Sequence, residues 1–241
     1  MLKKQIPNCI TAFNLLSGLL AIVASFEKAL LWAGFFIALG AFFDFFDGMA
    51  ARLLEVKSKM GKEMDSLADM VTFGVAPGFI VYQLMLQSSN LPQWIVFNHF
   101  AAPFIAFVIP VFAAFRLAKF NIDTRQTSSF IGLPSPANAL FFASLPFILS
   151  ATYAVKIPFL QDGLYNFWVL FALVLPISFL MVTELPLFGL KFTNLKWKDN
   201  IYRFVFLGIA AGLLIVLQIT ALPIIVFFYI LLSMIQNLLS K

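Results

Sequence analysis

Long apolar runs, broken by brief clusters of charged and turn-forming residues, recur along the whole chain. A hydrocarbon core about 30 Å thick needs roughly 20 apolar residues per helix. Eight stretches meet that requirement, approximately 8–26, 29–53, 62–87, 98–120, 135–155, 164–183, 202–219 and 222–240. The runs are continuous and lack the period-two alternation of a membrane strand, so the pattern predicts helices rather than a barrel. The fold class that follows is all-α: a polytopic membrane bundle of about eight transmembrane helices, forming one domain over residues 1–241. "QITALPII" is a short break, and it predicts a terminal hairpin rather than one long bent helix.

Charge orients the bundle. Of the 16 lysines and arginines, only Lys28 and Lys156 fall on one side of the predicted spans. The other side holds Lys3, Lys4, Arg52, Lys57, Lys59, Lys62, Arg116, Lys119, Arg125, Lys191, Lys196, Lys198, Arg203 and Lys241. Cytoplasmic loops carry such an excess, so the amino terminus is expected in the cytoplasm. Lys3 and Lys4 precede an apolar run with no evident small-residue cleavage site, which reads as a first span rather than a leader. The net charge of +5 is explained by span-flanking cations and does not point to nucleic acid.

Composition narrows the chemistry. The chain is 62% hydrophobic and 11% charged, against about 25% charged in an ordinary soluble domain. One cysteine, Cys9, excludes an internal disulfide and a cysteine metal cluster. One histidine, His99, excludes a histidine metal site and reads as a loop or interfacial residue. The polar stretch "FNIDTRQTSSFIGLPSPAN" carries Gly132, Pro134 and Pro136 and predicts an ordered turn.

Against this background, "DFFDGMAARLLEVKSKMGKEMDSLAD" gathers Asp44, Asp47, Asp65 and Asp69 within 26 residues. Asp44 and Asp47 are three apart near the end of the second span, and Asp65 and Asp69 are four apart near the start of the third. Each pair therefore shares a helix face. The short connection makes the two helices antiparallel neighbours, with both pairs at similar depth. A carboxylate at a membrane helix centre costs about 2.5–3.5 kcal/mol, so four cost on the order of 10 kcal/mol when fully buried. That cost asks for a cation. Oxygen ligands without histidine or cysteine suit Mg²⁺, Mn²⁺ or Ca²⁺, and four carboxylates have room for two such ions. Gly48 and Gly61 remove side chains where a ligand or a facing helix approaches. Arg52, on the face of the acids, is placed to neutralise a carboxylate or grip a phosphate. Glu55, Lys57 and Glu63 read as solvated loop charges.

The spacing D-x-x-D-G-x-x-A-R, eight residues, G-x-x-x-D-x-x-x-D resembles the signature of the CDP-alcohol phosphatidyltransferases at Asp44, Asp47, Gly48, Ala51, Arg52, Gly61, Asp65 and Asp69. "IPNCITAFNLLSGLLAI", "DSLADMVTFGVAPG", "FRLAKFN" and "FIGLPSPANA" are similar to segments of the family's bacterial branch that uses serine. The likeness covers roughly residues 5–150; the spans over about 164–240 carry no identifiable motif. It implies transfer of a phosphatidyl group from CDP-diacylglycerol to L-serine, giving phosphatidylserine and CMP. It further implies that Asp44, Asp47, Asp65 and Asp69 ligate metal, two Mg²⁺ or Mn²⁺ ions, and that Asp69 is the general base. Gly48, Ala51, Arg52 and Gly61 are then the CDP-lipid contacts, with Asn8, Thr11 and Asn14 as further polar candidates from the first span. Arg116, Lys119 and Arg125 are the candidates for the serine carboxylate. The resemblance also implies a homodimer in the bacterial inner membrane, with its active site facing the cytoplasm.

Two other readings stay open at this level. The same chemistry serves other acceptors, such as glycerol 3-phosphate, choline or inositol phosphate. A cation transporter would also gather acids, but its acids belong near the bilayer midplane, beside paired broken helices.

Overall fold

The computed structural model describes residues 2–56, 58–96, 98–123, 129–150, 158–189 and 197–239. Helix α1 (Leu2–Phe26) and helix α2 (Leu30–Leu53) are joined by a tight turn at Lys28, whose φ is +59°. Helix α3 (Lys59–Asp69) runs through a π-helical turn (Met70–Val75) into helix α4 (Ala76–Leu86). A 3₁₀ turn (Ala102–Phe107) leads into α5 (Val108–Ile122), followed by α6 (Ser135–Leu149), α7 (Pro158–Leu164) and α8 (Phe167–Leu180). The chain ends in α9 (Trp197–Leu217), a 3₁₀ turn (Gln218–Ala221) and α10 (Leu222–Leu239).

Among the described residues, five apolar helical runs are long enough to cross a membrane: Gln5–Phe26, Leu30–Leu53, Lys59–Leu86, Ala102–Ile122 and Asn200–Leu238. Two expected spans are shorter. Helices α6 and α8 have 15 and 14 residues, and at 1.5 Å per residue each covers only about 20 Å. The last run breaks where "QITALPII" predicts. Gln218 takes φ +53°, and Phe206 of α9 comes to lie 5.5 Å from Tyr229 of α10, centroid to centroid. In one straight helix those residues would be about 35 Å apart, so the two segments fold back on each other.

Close packing follows from small residues. Helix α1 buries one stripe, Thr11, Asn14, Ser17, Gly18, Ala21 and Ala24, spaced three or four apart. Helix α2 answers with Ala33, Ile37, Gly40 and Asp47. Without a hydrophobic drive between helices in lipid, such residues let backbones approach and polar groups bond across. The opposite faces leave Phe13, Trp32, Phe35, Phe42 and Phe45 exposed, as a lipid-facing belt requires.

Among the described residues, four short strands add to the helices. Strands β1 (Ile95–Val96) and β2 (His99–Phe100) form a hairpin that carries the exposed His99, in keeping with its loop reading. Strands β3 (Ser129–Ile131) and β4 (Pro186–Phe188) pair antiparallel and tie the polar segment to the chain after α8. Gly132 follows at φ +77°, where a Cβ would lie 3.0 Å from the carbonyl oxygen of Thr183. That position therefore takes glycine on both conformational and steric grounds. Tyr229 donates a 2.9 Å hydrogen bond to the carbonyl of Phe188, which fastens the terminal hairpin to β4.

Candidate active site

Helices α1, α2 and α3 meet at one end of the bundle around the aspartates. Carboxylate oxygens of Asp44, Asp47 and Asp65 lie within 4.8 Å of one another, so the α2 pair and the α3 pair do converge. Asp47 is buried; the other three are half-buried. Asp69 stands just outside the group of three. Its carboxyl makes a side-chain contact with that of Asp44.

Helix α1 supplies the supporting hydrogen bonds. The hydroxyl of Thr11 lies 2.7 Å from Oδ2 of Asp47 and 3.0 Å from the carbonyl of Pro7, and it has one proton to donate. The side-chain amide of Asn14 donates to Oδ1 of Asp69 at 3.1 Å. Oδ1 of Asp65 is buried without a hydrogen-bond partner. Among the described residues none of the four aspartates is in an ion pair with a lysine or arginine. Converging oxygens, one of them buried and unpartnered and none neutralised, fit a hard divalent cation.

A cleft of about 510 Å³ opens beside the acids. Asn8, Thr11, Gly48, Ala51 and Gly61 line it together with Asp47 and Asp65, so five of the seven residues expected to contact the CDP-lipid share one cavity. Gly48 faces open space, with nothing within 4 Å of where a Cβ would sit. Its lack of a side chain therefore leaves room for a ligand and is not needed for helix contact. Gly61 serves the other purpose, since a Cβ there would lie 3.0 Å from Oδ1 of Asn8.

The remaining two fall elsewhere. Arg52 is exposed and turns back on its own helix, Nε donating to the carbonyl of Gly48 at 2.9 Å. Asn14 holds Asp69 and does not line the cleft. Ser58, Lys59 and Lys62 line the cleft without having been expected there. Ser58 was legible in principle, because its hydroxyl accepts from the Gly61 N–H as the N-cap of α3.

The three expected serine contacts divide. Arg116 is buried, its Nε has no hydrogen-bond partner, and its guanidinium sits 4.9 Å over the Phe120 ring. Lys119 is engaged by Glu184 at 2.5 Å. Arg125 lies outside the described residues.

The family model described as CDP-alcohol phosphatidyltransferase matches residues 4–189. The chain belongs to the CDP-alcohol phosphatidyltransferase family. The matched region covers α1 to β4, and so includes every described residue of the acidic cluster and the cleft. Among relatives, the CDP-diacylglycerol–serine O-phosphatidyltransferase of Bacillus subtilis (strain 168) is 43% identical over 148 residues, 61% of this chain and 76% of that protein. A protein of the same description from Helicobacter pylori (strain ATCC 700392 / 26695) is 29% identical over 232 residues, 95% of this chain and 90% of the relative. Another from Mycobacterium leprae (strain TN) is 32% identical over 189 residues, 76% of this chain but 57% of that longer protein. The fold of this family member is thus a helical membrane bundle, and its acidic cluster lies within the matched region.

Proposed function

We propose that this phosphatidyltransferase moves the phosphatidyl group of CDP-diacylglycerol onto the hydroxyl of L-serine, producing phosphatidylserine and CMP. The observation that carries the reading is the convergence of Asp44, Asp47 and Asp65 beside a cleft that Asp47 and Asp65 line, with Asp69 held next to them by Asn14. The choice of serine follows the activity for which the relatives are described.

Asp44, Asp47 and Asp65, joined by Asp69, are the residues that hold divalent cation, two Mg²⁺ or Mn²⁺ ions. When bound, such an ion neutralises charge on the pyrophosphate and on departing CMP. The chain's own groups do the rest. Thr11 orients Asp47 by bonding one of its oxygens, the supporting role that second ligand shells play. Gly48 and Ala51 leave space for the nucleotide, with Asn8 and Gly61 also lining the cleft. Asn14 holds the Asp69 carboxylate through Oδ1, and that carboxylate takes the serine proton. As that proton leaves, the serine oxygen bonds to the phosphorus bearing diacylglycerol, and the bond from that phosphorus to CMP breaks with its electron pair on CMP. Arg52 is a phosphate contact only if it leaves the carbonyl of Gly48.

Arg116 is the preferred partner of the serine carboxylate. A buried guanidinium with an unpartnered Nε is costly unless an anion meets it. A phosphorylated acceptor asks for several clustered cations, yet Lys119 is already engaged by Glu184. Arg116→Lys keeps the charge and loses the fork, so KM for serine is expected to rise roughly tenfold or more, with KM for CDP-diacylglycerol unchanged. Initial rates over both substrates measure this; an unchanged serine KM removes Arg116 from the serine site.

The cation bias places the amino terminus and the active site on the cytoplasmic side of a bacterial inner membrane. The chain acts as one domain, since α10 is fastened to β4, and as a homodimer by family resemblance. Purified protein supplied with CDP-diacylglycerol, Mn²⁺ or Mg²⁺ and labelled serine tests the reaction. Labelled phosphatidylserine and an equal yield of CMP are expected. Turnover with glycerol 3-phosphate, choline or inositol phosphate but not serine overturns the acceptor, and no turnover with any alcohol overturns the reading.

A further inference from the structure

Immediately after Asp69 the third span leaves the α-helical pattern for six residues, the π turn Met70–Val75. π turns are rare and cluster at functional sites. Thr72 lies at the heart of this one, wholly buried. A helical threonine ordinarily bonds back to a carbonyl of its own helix. Thr72 instead donates across the interface, from its hydroxyl to the main-chain carbonyl of Asn14 on α1, at 3.0 Å.

Two glycines make that crossing possible. A Cβ on Gly18 of α1 would strike the Thr72 hydroxyl, and one on Gly40 of α2 would strike the Thr72 methyl. The same Cβ on Gly40 would stand 3.1 Å from Oδ1 of Asn14. Thr72 is therefore wedged between two helices that supply the site, and its hydroxyl is bonded to the residue whose side chain bonds Asp69.

We propose that Thr72 is a positioning residue for the transfer reaction: gripped between Gly18 and Gly40, it fixes the backbone of Asn14 and through it the direction of the Asp69 carboxylate. The inference rests on the reading of Asp69 as the base. The hydroxyl sets the direction and the methyl sets the seat, so the two functions of the side chain separate by substitution. Thr72→Val keeps the shape and removes the bond. Thr72→Ser keeps the bond and removes the methyl.

Displacing a reacting group by about 1 Å costs on the order of 100-fold. Thr72→Val is therefore expected to lower kcat about ten- to a hundredfold, with KM for both substrates within about threefold of wild type. Thr72→Ser is expected to recover most of that kcat. Because Thr72 acts through Asn14, adding Thr72→Val to Asn14→Ala is expected to cause little further loss. Wild-type kcat in a Thr72→Val enzyme overturns the proposal. So does a Thr72→Val loss that Thr72→Ser shares equally, or one that multiplies in full with the loss from Asn14→Ala. Should Thr72→Val reduce folded protein, as judged by size exclusion and thermal unfolding in detergent, Thr72→Ala, which also removes the bond, is compared with Asn14→Ala,Thr72→Ala on the same criterion of coupling. Failure of the serine reaction itself appears separately, as absent turnover in the wild-type enzyme.

Discussion

Asp69→Asn is expected to lower phosphatidylserine formation by about 10²–10⁴-fold, the usual contribution of a positioned general base. The replacement is nearly isosteric, and its amide oxygen still accepts from the side chain of Asn14, so packing around the π turn is retained. What is lost is the oxygen that takes the serine proton. The other three aspartates are expected to stay converged, because the oxygens they bring together do not include Asp69 and the new amide can keep the contact with Asp44. CDP-diacylglycerol is therefore expected to bind the variant in the presence of metal with little change. Single-turnover rates and equilibrium binding of the CDP-lipid, measured on the same preparation, separate the two effects. Wild-type turnover in Asp69→Asn removes the base assignment; loss of binding in step with turnover makes Asp69 a binding residue instead.

Asp65→Asn is expected to move activity and stability in opposite directions. Oδ1 of Asp65 is buried and bonded to nothing, beside Asp44 and Asp47. Without a cation, three acids at that spacing repel, and each carries the cost of a charge in a membrane span, about 2.5–3.5 kcal/mol when fully buried. Neutralising one relieves part of that cost. The midpoint of thermal unfolding in chelator is expected to rise in the variant, while turnover at moderate Mn²⁺ falls about 10²–10³-fold, the scale of one lost electrostatic stabiliser. Added Mn²⁺ is expected to recover part of the turnover and to stabilise wild type more than the variant. An activity loss accompanied by a lower unfolding midpoint in chelator would instead mark Asp65 as a structural residue.

The convergence of the acids was legible in the sequence because two simple rules act together. Spacings of three and four fix a helix face, and a short connection makes neighbours antiparallel. Of the cleft residues, Gly48 and Gly61 followed from the same faces, whereas Asn8, Thr11 and Ala51 came from the resemblance to the family. Arg52 shares its face with Asp44, yet periodicity places only the start of a long side chain, and its end turns to the carbonyl of Gly48. Asn14 was legible as a polar residue at the right depth, but its partner depends on how two helices cross, so its contact with Asp69 emerged only in three dimensions. Thr72 gave no signal at all. One hydroxyl in an apolar run satisfies itself within any α-helix, and nothing in "DMVTFGVAPG" announces a π turn. The helical character of the apolar runs came through because hydropathy is additive along the chain. The short reach of α6 and α8 did not, since the bounds of a buried helix depend on its neighbours as well as on its own apolar length.

Manganese binding followed by electron paramagnetic resonance tests the central claim most directly. Purified wild-type protein is titrated with Mn²⁺ beside a variant carrying Asp44→Asn, Asp47→Asn and Asp65→Asn, each with and without CDP-diacylglycerol. Saturable binding to wild type that tightens with the CDP-lipid and disappears in the triple variant is the predicted result. Equal binding by the two proteins would show that the acids of α2 and α3 do not share an ion, and would contradict the account.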